Sequence, residues 1–180
     1  MWISIIVISI IGTLSHFLYD ISNHNKIVGL FTAVNESTWE HIKIAITPAL
    51  IWGLIDGYKY GMLPNYFPAK LCSILAMALI IPIIFNLQKI IFKKDKAIIN
   101  ILSFYVAIIL GQFLFYHIIK MPELGYIYRY ISCIGLFLFV GQYLLLTLLP
   151  LEKPIFKDPI SNKYGYKGHT EDFSIVHKKK

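Results

Sequence analysis

Residues 34–43 are VNESTWEHIK, and the apolar run IAITPALIWGLI follows directly at residues 44–55. Two carboxylates, an imidazole and an amine therefore stand immediately before a stretch that favours a nonpolar environment. Similar apolar runs recur along the chain, and a helix needs about 20 apolar residues to cross the hydrocarbon of a bilayer. The change from charged to apolar sequence thus predicts a membrane helix that begins in a polar segment.

The composition of the 180-residue chain is typical of a membrane protein. Hydrophobic residues make up 57% of it and charged residues 15%, whereas charged residues make up about a quarter of an ordinary soluble domain. The predicted fold is all-α, a polytopic transmembrane helix bundle of about five spans within residues 1–150, followed by a basic cytosolic C-terminal tail at residues 151–180. The predicted spans are residues 2–19, 40–58, 69–91, 97–119 and 130–149.

The basic residues predict the orientation of these spans. The N-terminal stretch has neither the basic segment nor the cleavage site of a signal peptide, so we expect it to be retained as the first span. Lysines concentrate between the third and fourth spans, from Lys89 to Lys96, and in the tail. Because five spans place both regions on one side, the positive-inside rule predicts a cytoplasmic C-terminus and an external N-terminus.

The net charge of +7 bears on the partners of the chain. Lysines in one loop and a tail do not form a nucleic-acid groove, so we expect no nucleic-acid partner. The expected partner is the lipid bilayer, whose cytoplasmic leaflet is anionic. A membrane-protein partner and a homo-oligomer are both left open.

The opening motif has a structural interpretation. Ser37 and Glu40 fit a capping box, in which the hydroxyl accepts from the Glu40 amide and the carboxylate bonds the amide of the capping residue. Asn35 is a second candidate cap. Glu36, Glu40, Lys43 and Thr47 are predicted to share one helix face, where Lys43 can pair with Glu40.

The same motif also has a functional interpretation. His16 and Asp20 are spaced i, i+4 at the end of the first span. A short loop joins this end to the start of the second span, so both residues are expected at the same membrane face as the opening motif. The predicted polar site therefore comprises His16, Asp20, Asn35, Glu36, Glu40, His41 and Lys43. Five of these offer ligand atoms suited to zinc, iron or manganese, although none fits an H-E-x-x-H type motif: His16, Asp20, Glu36, Glu40 and His41.

Three functional classes fit this pattern, and no cofactor is specified by it. The first is a non-enzymatic scaffold or regulator with a polar network at the cytoplasmic ends of the first two helices. The second is a metal-dependent or acid/base membrane enzyme acting on a lipid or small substrate, and the third is a small transporter or proton-coupled channel. Cys72 and Cys133 give no metal spacing, although a disulfide between them is left open, and Asp56 is expected to pair with Lys59.

The segments SHFLYD (15–20), IVGLFTAVNESTWEHIKI (27–44) and PIFKDPISNKYGY (154–166), with the apolar spans between them, resemble one protein family. It is the domain-of-unknown-function family 6512, a set of small bacterial membrane proteins. The resemblance covers essentially the whole chain, and VNESTWEHIK is its most specific part. It implies a polytopic, multi-pass protein of the bacterial cytoplasmic membrane and brings no activity, substrate or cofactor.

Overall fold

The protein is described by a computed structural model over residues 1–93 and 96–168, and within these ranges its regular structure is helical apart from one isolated β-bridge. The helices are α1 (Trp2–Ile21), α2 (Lys26–Gly29), α3 (Thr38–Tyr60), α4 (Tyr66–Phe92), α5 (Ala97–Ile119), α6 (Tyr126–Leu148) and a short 3-10 helix (Pro154–Phe156). Each predicted span corresponds to one of the long helices. The all-α fold class is therefore confirmed.

Four of the long helices, α1, α4, α5 and α6, have the length and hydropathy of membrane spans. The fifth, α3, has 23 residues but contains Glu40, Lys43, Asp56 and Lys59. The apolar helices agree with a membrane protein, while the count of five spans and the orientation stay predictions.

Helix α3 is buried over much of its length, although Leu54 and Tyr58 in its last turns are exposed. It packs against α1, α4 and α5, and its residues Ala45, Ile46 and Ala49 are fully buried. Pro48 lies inside α3 and Pro82 inside α4. Because neighbouring helices cover part of α3, Glu40, Lys43 and Asp56 are shielded by protein, whereas Lys59 near its end is exposed.

Helix α1 approaches its neighbours closely at Gly12. A Cβ atom added there would lie 2.5 Å from the Ile44 carbonyl oxygen and 2.6 Å from Cζ of the Phe104 ring. At Gly141 in α6, by contrast, a Cβ would meet no atom of the described residues within 4 Å. A substitution at Gly12 thus tests close packing, whereas the same substitution at Gly141 tests helix propensity alone.

We expect Gly12→Ala to lower the free energy of unfolding by about 1–3 kcal/mol, since the added methyl group overpacks the contact of α1 with α3 and α5. Gly141→Ala is the matched control, and it should be neutral or stabilise by up to about 1 kcal/mol, because alanine favours a helix. Denaturation of the purified protein in detergent measures both values. Equal effects of the two substitutions would contradict the close packing of α1.

Candidate functional site

Side chains of the opening motif hold the loop between α2 and α3. Ser37 Oγ accepts a hydrogen bond from the Glu40 amide at 3.4 Å, which confirms the predicted cap of α3. Asn35 Oδ1 accepts from the Ser37 amide at 2.8 Å. The Glu40 carboxylate accepts from the Val34 amide at 3.0 Å. The capping box is therefore not reciprocal as predicted, because Asn35 takes the place of Glu40 at the Ser37 amide.

Glu40 and Lys43 form the predicted ion pair, with 2.8 Å between Oε2 and Nζ. Glu40 is 2% exposed and Lys43 is fully buried. Lys43 Nζ also donates to the Gly29 carbonyl at 2.7 Å. Both charges are thus satisfied inside the protein, and they join α3 to the end of α2.

Glu36 does not lie on the helix face that the sequence predicted, because α3 begins only at Thr38. It lies in the loop, where its backbone amide donates to Asp158 Oδ1 at 2.9 Å. Its carboxylate oxygens lie 3.3 Å from His16 Nε2 and 3.8 Å from His41 Nε2. The loop therefore brings Glu36 between an imidazole of α1 and one of α3.

The hydrogen bonds assign different roles to the two imidazoles. His41 Nδ1 lies 3.0 Å from the Ser37 carbonyl oxygen, and a carbonyl only accepts, so Nδ1 carries the proton. His16 presents Nε2 to the Glu36 carboxylate, so Nε2 donates. His16 Nδ1 is buried and has no hydrogen-bond partner among residues 1–93 and 96–168. A carboxylate that orients an imidazole in this way is the arrangement used in general acid/base catalysis.

The other predicted site residues lie elsewhere. Asp20 pairs with His24, with 3.6 Å between Oδ1 and Nε2, although its i, i+4 spacing also allowed a hydrogen bond with His16. Asn35, Glu40 and Lys43 hold the loop. In the described ranges, no three His, Cys, Asp or Glu side chains are placed to hold a metal ion.

A cleft of about 530 Å³ opens beside His16, Glu36 and His41, between α1, α3 and α5. It is not enclosed, since Phe17 and Ile101 on its rim are 54% and 52% exposed. The remaining lining residues are mostly apolar or aromatic: Thr13, Ile44, Ala97, Asn100, Phe104 and Tyr105. Polar and apolar groups therefore meet in one cleft.

The cleft continues along α1 and α5 as a second groove of about 260 Å³, lined by Ser9, Ile10, Thr13, Leu14 and Tyr105. Thr13 and Tyr105 line both volumes, and their hydroxyl oxygens lie 3.1 Å apart. From Phe17 back to Ser9, the helix rise makes the whole groove about 12 Å long. The polar cluster thus stands at one end of an elongated groove.

The C-terminal segment supports the loop. The sequence allowed IFKDPISNKYGY (155–166) to rest against the bundle but did not indicate which residues make the contacts. Asp158 is fully buried and its Oδ2 also accepts from the Ser161 amide at 2.5 Å. Asn35 Nδ2 donates to the Gly165 carbonyl at 2.9 Å. Burial raises the pKa of Tyr166 to about 12, so its hydroxyl stays protonated and donates to the Lys26 carbonyl at 2.8 Å. The only sequence signal was the likeness of KDPISN to a turn.

A second buried ion pair lies at the far end of α3. Asp56 Oδ2 accepts from Lys70 Nζ at 2.7 Å, and Asp56 Oδ1 accepts from Trp52 Nε1 at 3.1 Å. The predicted partner Lys59 instead lies over the ring of Tyr60, so that prediction was wrong. Cys72 and Cys133 are both free.

Glu40→Gln should lower the free energy of unfolding by about 3–5 kcal/mol, because it leaves the Lys43 charge buried without its counter-ion. The double variant Glu40→Gln/Lys43→Met should lose less than the sum of the two single variants, since it removes both charges together. Denaturant titration in detergent measures the free energy of unfolding of the wild-type protein, the two single variants and the double variant. Lys120→Met at an exposed position is the control, expected within about 0.5 kcal/mol. Additive effects would show that the pair does not couple.

In the comparison with protein families, the model of the family described as "Family of unknown function (DUF6512)" matches residues 1–166. Comparisons with curated proteins and with solved structures found no match. The matched range includes the helix bundle and the C-terminal segment that supports Glu36. The chain belongs to the family of unknown function DUF6512.

Proposed function

We propose that the protein binds a lipid-like amphiphile in the groove between α1 and α5, and that it holds the polar end of this ligand against a proton-transferring pair, His16 and Glu36. The observation that carries the proposal is the position of His16, Glu36 and His41 at one end of an apolar groove. A ligand that fits both parts needs a polar head and an apolar chain.

The charge of the cluster indicates the kind of head group. One carboxylate and two imidazoles present no fixed excess of positive charge, so a neutral head with hydroxyl groups fits better than a phosphate. A ligand hydroxyl can donate to His16 Nδ1, the buried nitrogen for which the described residues supply no partner. Glu36 on Nε2 would then stabilise the imidazolium if the proton moved. The site is therefore suited to acid/base chemistry on the bound molecule.

The membrane setting belongs to the same proposal. The groove faces outward between two apolar helices, α1 and α5, so a ligand could enter from the bilayer without crossing water. We place the His16 end at the cytoplasmic leaflet of the cell membrane on the positive-inside rule. The bilayer is then both the surroundings of the protein and the source of its ligand.

A scaffold or regulator is the second candidate, and a specific observation favours it. Asn35, Ser37, Glu40 and Lys43 use their polar atoms within the protein, as a structural network does. A scaffold, however, needs no groove beside His16. The transporter class stays a prediction.

Photo-cross-linking tests the binding. A monoacylglycerol that carries a diazirine on its chain should label the peptides of α1 and α5 that line the groove when the protein is in lipid nanodiscs. Ile101→Trp should reduce this labelling by about tenfold, because the larger ring fills the cleft at a cost of about 1–3 kcal/mol. Ile109→Trp, on the same helix and 43% exposed but outside the groove, should leave it unchanged. Labelling spread evenly over the lipid-facing helices would refute the groove.

Nuclear magnetic resonance of isotope-labelled histidine tests the proton-transferring pair. The neutral His16 ring should be protonated on Nε2 and the neutral His41 ring on Nδ1, and monoolein should shift the Nδ1 signal of His16. His117, exposed and stacked on Phe113, serves as the control and should not respond. A scaffold without a ligand at this site predicts no response from any of the three rings.

A further inference from the structure

The groove has a second polar point at Thr13 and Tyr105, apart from the pair of His16 and Glu36. Both residues line the two connected volumes, and their hydroxyl oxygens lie 3.1 Å apart. Thr13 precedes His16 by three residues of α1, so the two side chains share a helix face and are separated by about 4.5 Å along its axis. A ligand whose head contacts His16 therefore passes Thr13 and Tyr105 as it continues towards Ser9.

The direction of the hydrogen bond between Thr13 and Tyr105 follows from a third group, the Ser9 carbonyl. Thr13 Oγ1 donates to this carbonyl at 2.8 Å, and a threonine hydroxyl has a single proton to give. Towards Tyr105, Thr13 Oγ1 can therefore only accept, and the Tyr105 hydroxyl is the donor. The opposite direction would leave the oxygens of Thr13 and Ser9 2.8 Å apart with no proton between them.

The Tyr105 oxygen is consequently left as a hydrogen-bond acceptor. A tyrosine hydroxyl donates one hydrogen bond and can also accept, and no residue within 1–93 and 96–168 donates to Tyr105. The side chain is half-buried, and its ring packs edge-on against Phe104, with 5.0 Å between the ring centroids. Thr13 thus fixes the proton and Phe104 contacts the ring, so that an acceptor is presented to the groove.

His16 Nδ1 is an acceptor as well, because Nε2 carries the proton that faces Glu36. Two acceptors about one helical turn apart require two hydrogen-bond donors on the ligand. Neighbouring hydroxyl groups of a polyol supply them, whereas ester, ether and carboxylate oxygens only accept. A head group of the second kind would leave one of the two acceptors unpaired, which weakens binding.

We propose that Tyr105 is a specificity-determining residue of the groove, which selects amphiphiles with a polyol head such as glycerol or a sugar. The terminal hydroxyl of the head contacts His16 Nδ1, and the hydroxyl nearer to the apolar chain donates to Tyr105. Thr13 is a positioning residue, since it acts on the ligand only through the Tyr105 proton. This inference rests on the proposed function, to which it adds the class of head group.

Two competitors of the photo-cross-linking monoacylglycerol test the inference in lipid nanodiscs: 1-O-oleylglycerol and its 2-O-methyl ether. The methyl ether keeps the terminal hydroxyl but cannot donate to Tyr105. For the wild-type protein we expect it to compete about five- to tenfold more weakly than the diol, since one acceptor is left unpaired. Tyr105→Phe removes that acceptor, so the two compounds should then compete within about twofold of each other.

Thr13→Val gives a readout that a purely structural role would not change. Once the Thr13 hydroxyl is removed, the Tyr105 proton is free to donate to the ether oxygen, so the methyl ether should compete as well as the diol or better. Thr13→Ser keeps a hydroxyl that donates to the Ser9 carbonyl and should keep the wild-type preference. Tyr128→Phe, at an exposed position outside the groove, is the matched control and should also keep it.

The outcomes separate this inference from the proposed function. If neither compound competes, the groove does not bind such lipids, and the proposed function fails together with the inference. If both compete equally with the wild-type protein, the groove stands and the role of Tyr105 is refuted. A preference for the diol that persists in Thr13→Val would show that the methyl group is excluded by its bulk, and it would also refute that role. If Tyr105→Phe does not fold, Thr13→Val decides alone.

Discussion

The structure depends on the neutralisation of charge within α3, where Glu40, Lys43 and Asp56 are buried. Glu40 and Lys43 lie near one end of it and Asp56 lies near the other, and an ion without a partner in such a place costs several kcal/mol. Lys43 also donates a hydrogen bond to the Gly29 carbonyl, and Glu40 also accepts one from the Val34 amide. Asp56 pairs with Lys70 of α4 and accepts a hydrogen bond from the indole of Trp52. Each pair therefore fixes a neighbouring segment, α2 at one end and α4 at the other, so that the electrostatics of one helix determine how the chain packs around it.

The groove follows from this constraint. Because the Glu40 carboxylate is directed back to the Val34 amide, residues 34–37 must bend around the start of α3 and do not extend it. Glu36 is then displaced towards α1, where it meets His16. Asp158 stabilises this bend by accepting a hydrogen bond from the Glu36 amide. The site is thus a consequence of how the helix begins, and a segment more than a hundred residues further along the chain is part of its support.

Local patterns in the sequence predicted what depends on local spacing. Apolar runs predicted the long helices, and Ser37 predicted the cap of α3. The three-residue spacing of Glu40 and Lys43 predicted their ion pair. Contacts between distant residues were missed. Asp56 was assigned to its near neighbour Lys59, whereas Lys70 is delivered by the packing of α4 against α3. Glu36 was placed on a helix face because periodicity continues through a sequence without showing where the backbone leaves the helix. The role of Asp158 depends on a fold of the C-terminal segment that no periodicity encodes.

The motif VNESTWEHIK and the neighbouring His16 of α1 therefore present two kinds of polar side chain, and their geometry separates them. Glu40 and Lys43 are 3% and 0% exposed at the side chain and approach to 2.8 Å, with backbone partners besides. His16 and Glu36 are 29% and 41% exposed at the side chain and lie 3.3 Å apart, beside an open cleft. Groups that are fully satisfied inside a protein are costly to recruit for a ligand, since the ligand would have to replace contacts already made. Partly exposed groups at a longer distance exchange partners at little cost. Structural and ligand-facing roles can thus be assigned within ten residues, and the second role belongs to the side chains that turn away from α3 towards α1.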